Sequence, residues 1–219
     1  MKLHNFNSGP SILPAPVLKQ AAEAVLNYKN TGLSLLEIGH RTPWFLEILD
    51  EAKNAVKELM QLDDSHEVLF LHGGATTQFM QVPMNLLDSH ATAAYCDNGV
   101  WGNKAWKEAS LFGQVKLVSD GSSSQYRSIP KNLDIPNDAA YLHFTSNNTV
   151  EGTQWHQYPE TSVPLVADMS SDIFSRPAPY NQLSLIYAGA QKNMGAAGVN
   201  LVVVKKDLLG KISRKIPTI

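Results

Sequence analysis

The chain has 219 residues, with 18 Lys and Arg against 20 Asp and Glu, a net charge of −2 and 43% hydrophobic residues. That balance suits a folded globular protein and excludes a disordered one. It also argues against nucleic acid or an anionic membrane as partner, since both are gripped by clustered Lys and Arg. The densest basic stretch, Lys205, Lys206, Lys211, Arg214 and Lys215, reads as a solvated terminus. At roughly 150 residues per domain, the length makes one large domain or one and a half. Cys96 is the sole cysteine, so no intrachain disulfide can form and a reducing compartment is expected. Its setting in Ala93-Ala94-Tyr95-Cys96 predicts a small buried hydrophobe rather than a nucleophile. Met1–Asn7 lacks the apolar core of a signal peptide, and apolar runs such as Leu201–Val204 are strand-sized, so a cytoplasmic protein is expected.

Residues 1–16 are rich in Gly, Pro, Ser and Asn and read as an irregular arm. Pro16 suits the first turn of a helix, and Val17, Leu18, Ala21, Ala22, Val25 and Leu26 follow at helical spacing. Thr42-Pro43 repeats the start signal before a second amphipathic helix with Phe45, Leu46, Leu49, Ala52, Val56 and Leu59 on one face. From Glu67 the rhythm changes to short apolar runs alternating with helical stretches. Strands are predicted over Val68–Leu71, Thr92–Cys96, Val115–Val118, Ala139–Thr145, Pro164–Ala167, Leu185–Tyr187 and Val199–Val204, with helices near Thr76–Leu87 and Trp101–Leu111. Pro83 should kink the first of these or reset its end. Gly121–Ser124 and Pro177–Pro179 read as loops. The alternation predicts an α/β protein, a mostly parallel sheet covered by helices.

The chain carries no G-x-G-x-x-G, Walker sequence, G-x-S-x-G elbow or H-E-x-x-H, and its seven histidines lack metal-ligand spacing, so no metal site is expected. Polar features instead follow predicted strands, the place where parallel sheets bind ligands. His72-Gly73-Gly74-Ala75-Thr76-Thr77 leads a strand through glycines into a helix start, where free N–H groups suit a phosphate. Trp101 could stack on a flat ring or fill the core. Thr149 could donate a hydroxyl or cap a turn. Asp168 could pair with a buried cation or cap the next turn. Lys192, hemmed in by small residues in Gly189-Ala190-Gln191-Lys192-Asn193-Met194-Gly195, could be a solvated lysine or a partly buried imine-forming one. Each alone has an ordinary reading. Together they compose the set that holds pyridoxal 5′-phosphate: phosphate cradle, stacking ring, hydroxyl, carboxylate and lysine.

At these residues the chain resembles the phosphoserine aminotransferases, class-V enzymes of the fold-type-I pyridoxal-phosphate group. The resemblance runs from Phe6-Asn7-Ser8-Gly9-Pro10 through Gly39-His40-Arg41, His72-Gly73-Gly74 and Ala167–Ser171 to Asp207–Lys211, with Tyr187–Asn193 the most specific piece. It implies a three-layer large domain over residues 17–219. Lys192 would hold the coenzyme covalently and shuttle a proton, and Asp168 would pair with the ring nitrogen. Trp101 would stack on the ring and Thr149 would bond its phenolic oxygen. Ala75, Thr76 and Gln191 would bind the phosphate, and Arg41 and His40 the substrate. The implied reaction passes the amino group of glutamate to 3-phosphohydroxypyruvate, in a homodimer, with a related role in vitamin B6 biosynthesis for some members. Ser146-Asn147-Asn148-Thr149 departs from the usual Pro-Asn-Glu-Thr, and the Ala75–Thr77 turn lacks the arginine some members carry. Members also continue past the point matching Ile219 into a small C-terminal domain, so the chain is expected to be a truncated form. Another class-V transamination and a noncatalytic coenzyme-binding fragment are the alternatives.

Overall fold

The computed structural model describes residues 3–216. After the arm, Pro14 and Pro16 open helix α1, Ala15–Leu26. Thr42 caps α2, Pro43–Met60, by accepting a bond from the Phe45 N–H, and Gln61 closes it in the left-handed conformation. The alternating part comprises β1 (His66–His72), α3 (Gln78–Leu86), β2 (Thr92–Asp97), α4 (Val100–Ala109), β3 (Gln114–Asp120), β4 (Leu142–Thr145), the two-residue strands β5 (Asn147–Asn148) and β6 (Thr153–Gln154), β7 (Leu165–Asp168), β8 (Leu185–Gly189) and β9 (Val199–Lys205).

The main sheet has the order β1-β9-β8-β7-β4-β2-β3. Neighbours from β8 to β3 run parallel, whereas β9 runs antiparallel to both β1 and β8. Since β1 is therefore parallel to β8, the carboxyl ends of β1, β2, β4, β7 and β8 all open on one edge. Both faces are covered. Val56 and Met60 of α2 pack on the face presenting Ala94, Leu142, Phe144, Ala167 and Ile186. Phe79 and Val82 of α3 and Ala105 and Ala109 of α4 cover Ala93, Tyr95, Val166 and Tyr187 on the other. This is the three-layer α/β arrangement, and the near-continuous apolar strands follow from burial on both faces. Cys96 is 1% exposed, and burial pushes its thiol up to about 12, so it packs as a small hydrophobe.

The structure departs from the periodicity in several places. No residue of α1 is buried, and Leu26 is 83% exposed; spacing identifies an apolar face but not what covers it. In α2 the inward stripe ends on Val56 and Met60, leaving Leu46 and Leu59 exposed. The expected helix from Thr76 is a 3-10 turn, Ala75–Thr77, followed by α3. Pro83, expected to kink this helix or reset its end, lies within α3, which runs on to Leu86. The β5–β6 hairpin is too short for any periodicity to signal. Among the described residues no helix is long and apolar enough to cross a membrane.

Candidate active site

A cavity of about 460 Å³ opens at the carboxyl edge of the sheet. The turn after β1 supplies Gly73, Gly74, Ala75 and Thr76, and the first turn of α4 supplies Trp101. The segment after β4 supplies Thr149, β7 ends on Asp168, and the segment after β8 supplies Gln191 and Lys192. All these predicted positions line one space because parallel strands release their chains on the same edge. His40 and Arg41 do not join them: both are exposed, on the turn before α2. The wall also includes Pro10, Ser170 and Ser171, which lie within the Phe6–Pro10 and Ala167–Ser171 stretches, together with Phe79, Thr145 and Asn147, to which the sequence assigned no role. A polar residue ending an otherwise apolar strand was the available signal for Thr145.

Lys192 Nζ donates to Thr149 Oγ1 at 2.8 Å. Burial lowers the lysine pKa, while the Asp168 and Asp172 carboxylates pull it back up. Asp168 is 4% exposed and accepts bonds from the Ser170 N–H at 3.0 Å and the Ser170 hydroxyl at 2.6 Å. Its pKa is raised by burial, against the opposing bonds from Ser170 and the charge of Lys192. Amine and carboxylate are thus each pushed toward the neutral form by the same low-dielectric cavity. A neutral amine is a nucleophile, and a buried carboxylate is a strong acceptor for a cationic N–H.

The glycine turn leaves one side of the cavity open. Gly73 and Gly74 have φ of 94° and 71°, backbone that L side chains resist. A Cβ on Gly73 would sit 2.6 Å from Thr77 Cγ2, whereas one on Gly74 meets nothing within 4 Å. The Thr77 hydroxyl ties the turn by donating to the Gly74 carbonyl at 2.7 Å. The early N–H groups of the turn face no carbonyl of their own, as at any helix start. Across the cavity the arm lies on the lysine: a Cβ on Gly9 would be 3.2 Å from Cγ of both Gln191 and Lys192, and the Ser11 N–H donates to the Gln191 carbonyl at 2.8 Å. Thr145 Oγ1 is buried without a partner beside Asp168 in the β4–β7 register. A flat polar ring carrying a phosphate fits this donor set: aromatic wall, buried carboxylate, hydroxyls and an open glycine cradle.

The supporting contacts run behind these groups. The Ser146 hydroxyl donates to the Asp168 carbonyl at 3.0 Å and also to Asp172, whose other oxygen accepts from Gln154 at 3.0 Å. Asn147 and Ser171 exchange bonds of 2.8 Å. The Thr149 segment is thereby fastened to the end of β7. Tyr187 pairs with Asp168 across the sheet, and its hydroxyl meets His143 Nε2 at 2.8 Å. The His143 ring stacks between Tyr95 and Tyr187, at centroid distances of 4.7 Å and 5.9 Å.

Burial holds His143 neutral, its pKa pushed down to about 3. Between the ordinary histidine value and that one, the unfolded chain binds a proton the folded chain refuses. Stability therefore falls as pH drops below about 6.5, with a slope of up to about 1.4 kcal/mol per pH unit from this group. The His143→Gln variant should lose less of its thermal midpoint than the parent between pH 6.5 and 4.5, measured by circular dichroism. Equal slopes would place the sensitivity elsewhere.

The family model for aminotransferase class-V matches residues 3–217. The phosphoserine aminotransferase of Flavobacterium johnsoniae is 51% identical over 219 residues, covering 100% of this chain and 62% of the relative. A solved structure described as radiation damage of the Schiff base in phosphoserine aminotransferase superposes with TM-score 0.95 at 45% identity, over 99% of this chain and 61% of the other. A phosphoserine aminotransferase from Trichomonas vaginalis, solved with bound PLP, gives 0.90 at 32% identity over 99% of this chain and 64% of that one. The chain thus spans a little over three fifths of the length of these relatives.

Proposed function

The chain belongs to the class-V aminotransferase family, and from that premise we propose that its cavity serves amino-group transfer between L-glutamate and 3-phosphohydroxypyruvate. The products are 2-oxoglutarate and O-phospho-L-serine, with pyridoxal 5′-phosphate as coenzyme. The observation that carries the reading is the placement of the Lys192 amine, desolvated and bonded to Thr149, in one cavity with the buried Asp168 carboxylate. A relative named phosphoserine aminotransferase at 51% identity supports phosphoserine as one partner in the transfer.

Pyridoxal phosphate, when bound, supplies an electron-withdrawing ring that acidifies the carbon bearing the amino group. Lys192 would act at Nζ, as the amine that holds the coenzyme and as the base that takes and returns a proton. Its lowered pKa keeps a larger neutral fraction for both tasks. Asp168 would pair with the ring nitrogen by a charge-assisted bond, which a carboxylate confined in low dielectric makes stronger. Trp101 would cover the ring, and Thr149 would bond its phenolic oxygen. Ala75 and Thr76 would hold the phosphate on backbone N–H groups, with Gln191 beside them. The arm at Gly9 and Pro10 keeps water from the lysine side.

Arg41 is assigned to the substrate carboxylate, and His40 beside it to orienting or contacting the substrate. A planar guanidinium suits that group, and from their exposed turn the role requires approach to the cavity mouth. The reading extends to a homodimer in a reducing, cytoplasmic setting; the uncovered apolar face of α1 and the single buried cysteine support it. A parallel use of a related phosphorylated oxo acid, toward vitamin B6, belongs to the same proposal.

The test is spectroscopic. Pyridoxal phosphate added to the chain should give a visible band from the lysine-bound coenzyme. L-Glutamate should bleach it, and 3-phosphohydroxypyruvate should restore it. A band that forms but ignores glutamate would defeat the transfer reading. Restoration by glyoxylate in preference to 3-phosphohydroxypyruvate would defeat the substrate assignment.

A further inference from the structure

Two groups assigned to the coenzyme, Trp101 and Thr149, stand on segments far apart in sequence, and one side chain joins them. Helix α4 begins at Gly99, which has no side chain to cap it. The cap comes from the other segment: Glu151 Oε1 accepts from the Val100 N–H at 2.8 Å, across 51 positions of chain. Val100 directly precedes Trp101, and Glu151 lies two residues beyond Thr149. The second carboxylate oxygen is buried with no partner. A Cβ on Gly99 would lie 2.6 Å from that oxygen, 2.9 Å from Cδ and 3.0 Å from Asn148 Oδ1. Only a glycine at the cap position lets the carboxylate seat against the helix end.

The Glu151 turn is itself braced. The Gly152 N–H donates to the Asn148 carbonyl at 2.8 Å, and Asn148 Nδ2 donates to Thr153 Oγ1 at 3.0 Å, closing the β5–β6 hairpin around Thr149. A carboxylate at a helix N-terminus gains from both the free N–H and the helix dipole.

We propose that Glu151 is a positioning residue that clamps the Thr149 hairpin to the first turn of α4, so that Trp101 and Thr149 keep a fixed spacing across the cavity. The coenzyme roles of those two residues rest on the function proposed above; the clamp between their segments does not. It is therefore tested on the coenzyme-free chain by hydrogen exchange, read by mass spectrometry on peptides covering 98–104 and 147–154. Glu151→Ala should speed exchange in both peptides together by about tenfold, the worth of a charge-assisted bond. Glu151→Gln keeps an oxygen that accepts from Val100 and should restore protection to near the parent level.

If Glu151→Ala does not fold, Gly99→Ala replaces it, since the added methyl displaces the carboxylate and should loosen the same two peptides. An unchanged peptide in either folded variant, or exchange in Glu151→Gln as fast as in Glu151→Ala, would overturn the clamp. Failure of the chain to bind pyridoxal phosphate would count against the proposed function and leave this outcome to be read independently.

Discussion

Lys192→Ala is expected to remove the visible band of the bound coenzyme and to slow the glutamate half-reaction by about 10⁴-fold, because in the proposed reaction one nitrogen would carry both the covalent attachment and the proton transfer. Among the described residues Lys192 is the single lysine of the cavity wall, so no other amine there can substitute. Added methylamine should recover part of the rate, since a small amine can enter the space the side chain leaves. The measurement is absorbance on adding pyridoxal phosphate, then stopped-flow mixing with glutamate. A variant spectrum identical to the parent would show that the coenzyme is held some other way.

Asp168→Asn should give two effects of opposite sign. The half-reaction should slow by roughly 10²- to 10³-fold, because a neutral amide cannot hold a proton on the ring nitrogen as a carboxylate does. Reactivity of the free lysine should rise instead. In the coenzyme-free chain the Asp168 charge favours the ammonium form of Lys192, partly offsetting the lowering by burial. Removing that charge lets the lysine pKa fall further, with Asp172 as the remaining carboxylate that opposes the fall. Acylation of Lys192 at fixed mildly alkaline pH should therefore be faster in the variant, with its midpoint displaced to lower pH. Full transfer activity in Asp168→Asn would remove the carboxylate from the chemistry. An unmoved labelling midpoint would remove its coupling to the lysine.

These two residues also show how much of the site was legible. Each followed a predicted strand, and strands in a parallel sheet deliver their following residues to one edge, so order along the chain already implied a shared cavity. The glycine turn was legible for a related reason, because consecutive glycines before a helix start leave backbone open to an anion. Glu151 was not legible. An acidic residue in a polar loop has no periodicity and no motif, and its function as a cap depends on a helix 51 positions away. His143 was hidden in the same way, since one histidine in an apolar strand does not reveal the stacked rings that keep it neutral. His40 and Arg41 were picked out by resemblance alone, and they stand outside the cavity wall.

By itself the sequence determined the α/β class, the approximate strands and helices and the residues at strand ends, because side-chain periodicity and glycine placement act locally. It also determined family membership through the pattern around Lys192. The tertiary structure alone decided which apolar faces were covered. It left α1 uncovered and shifted the inward stripe of α2, since burial depends on what packs opposite. It also decided the two antiparallel partners of β9, the hairpin that carries Thr149, the capping of α4 from a distant carboxylate and the opposing pKa shifts of Lys192 and Asp168. Those properties arise from distance and desolvation between segments remote in sequence, quantities that no local pattern encodes.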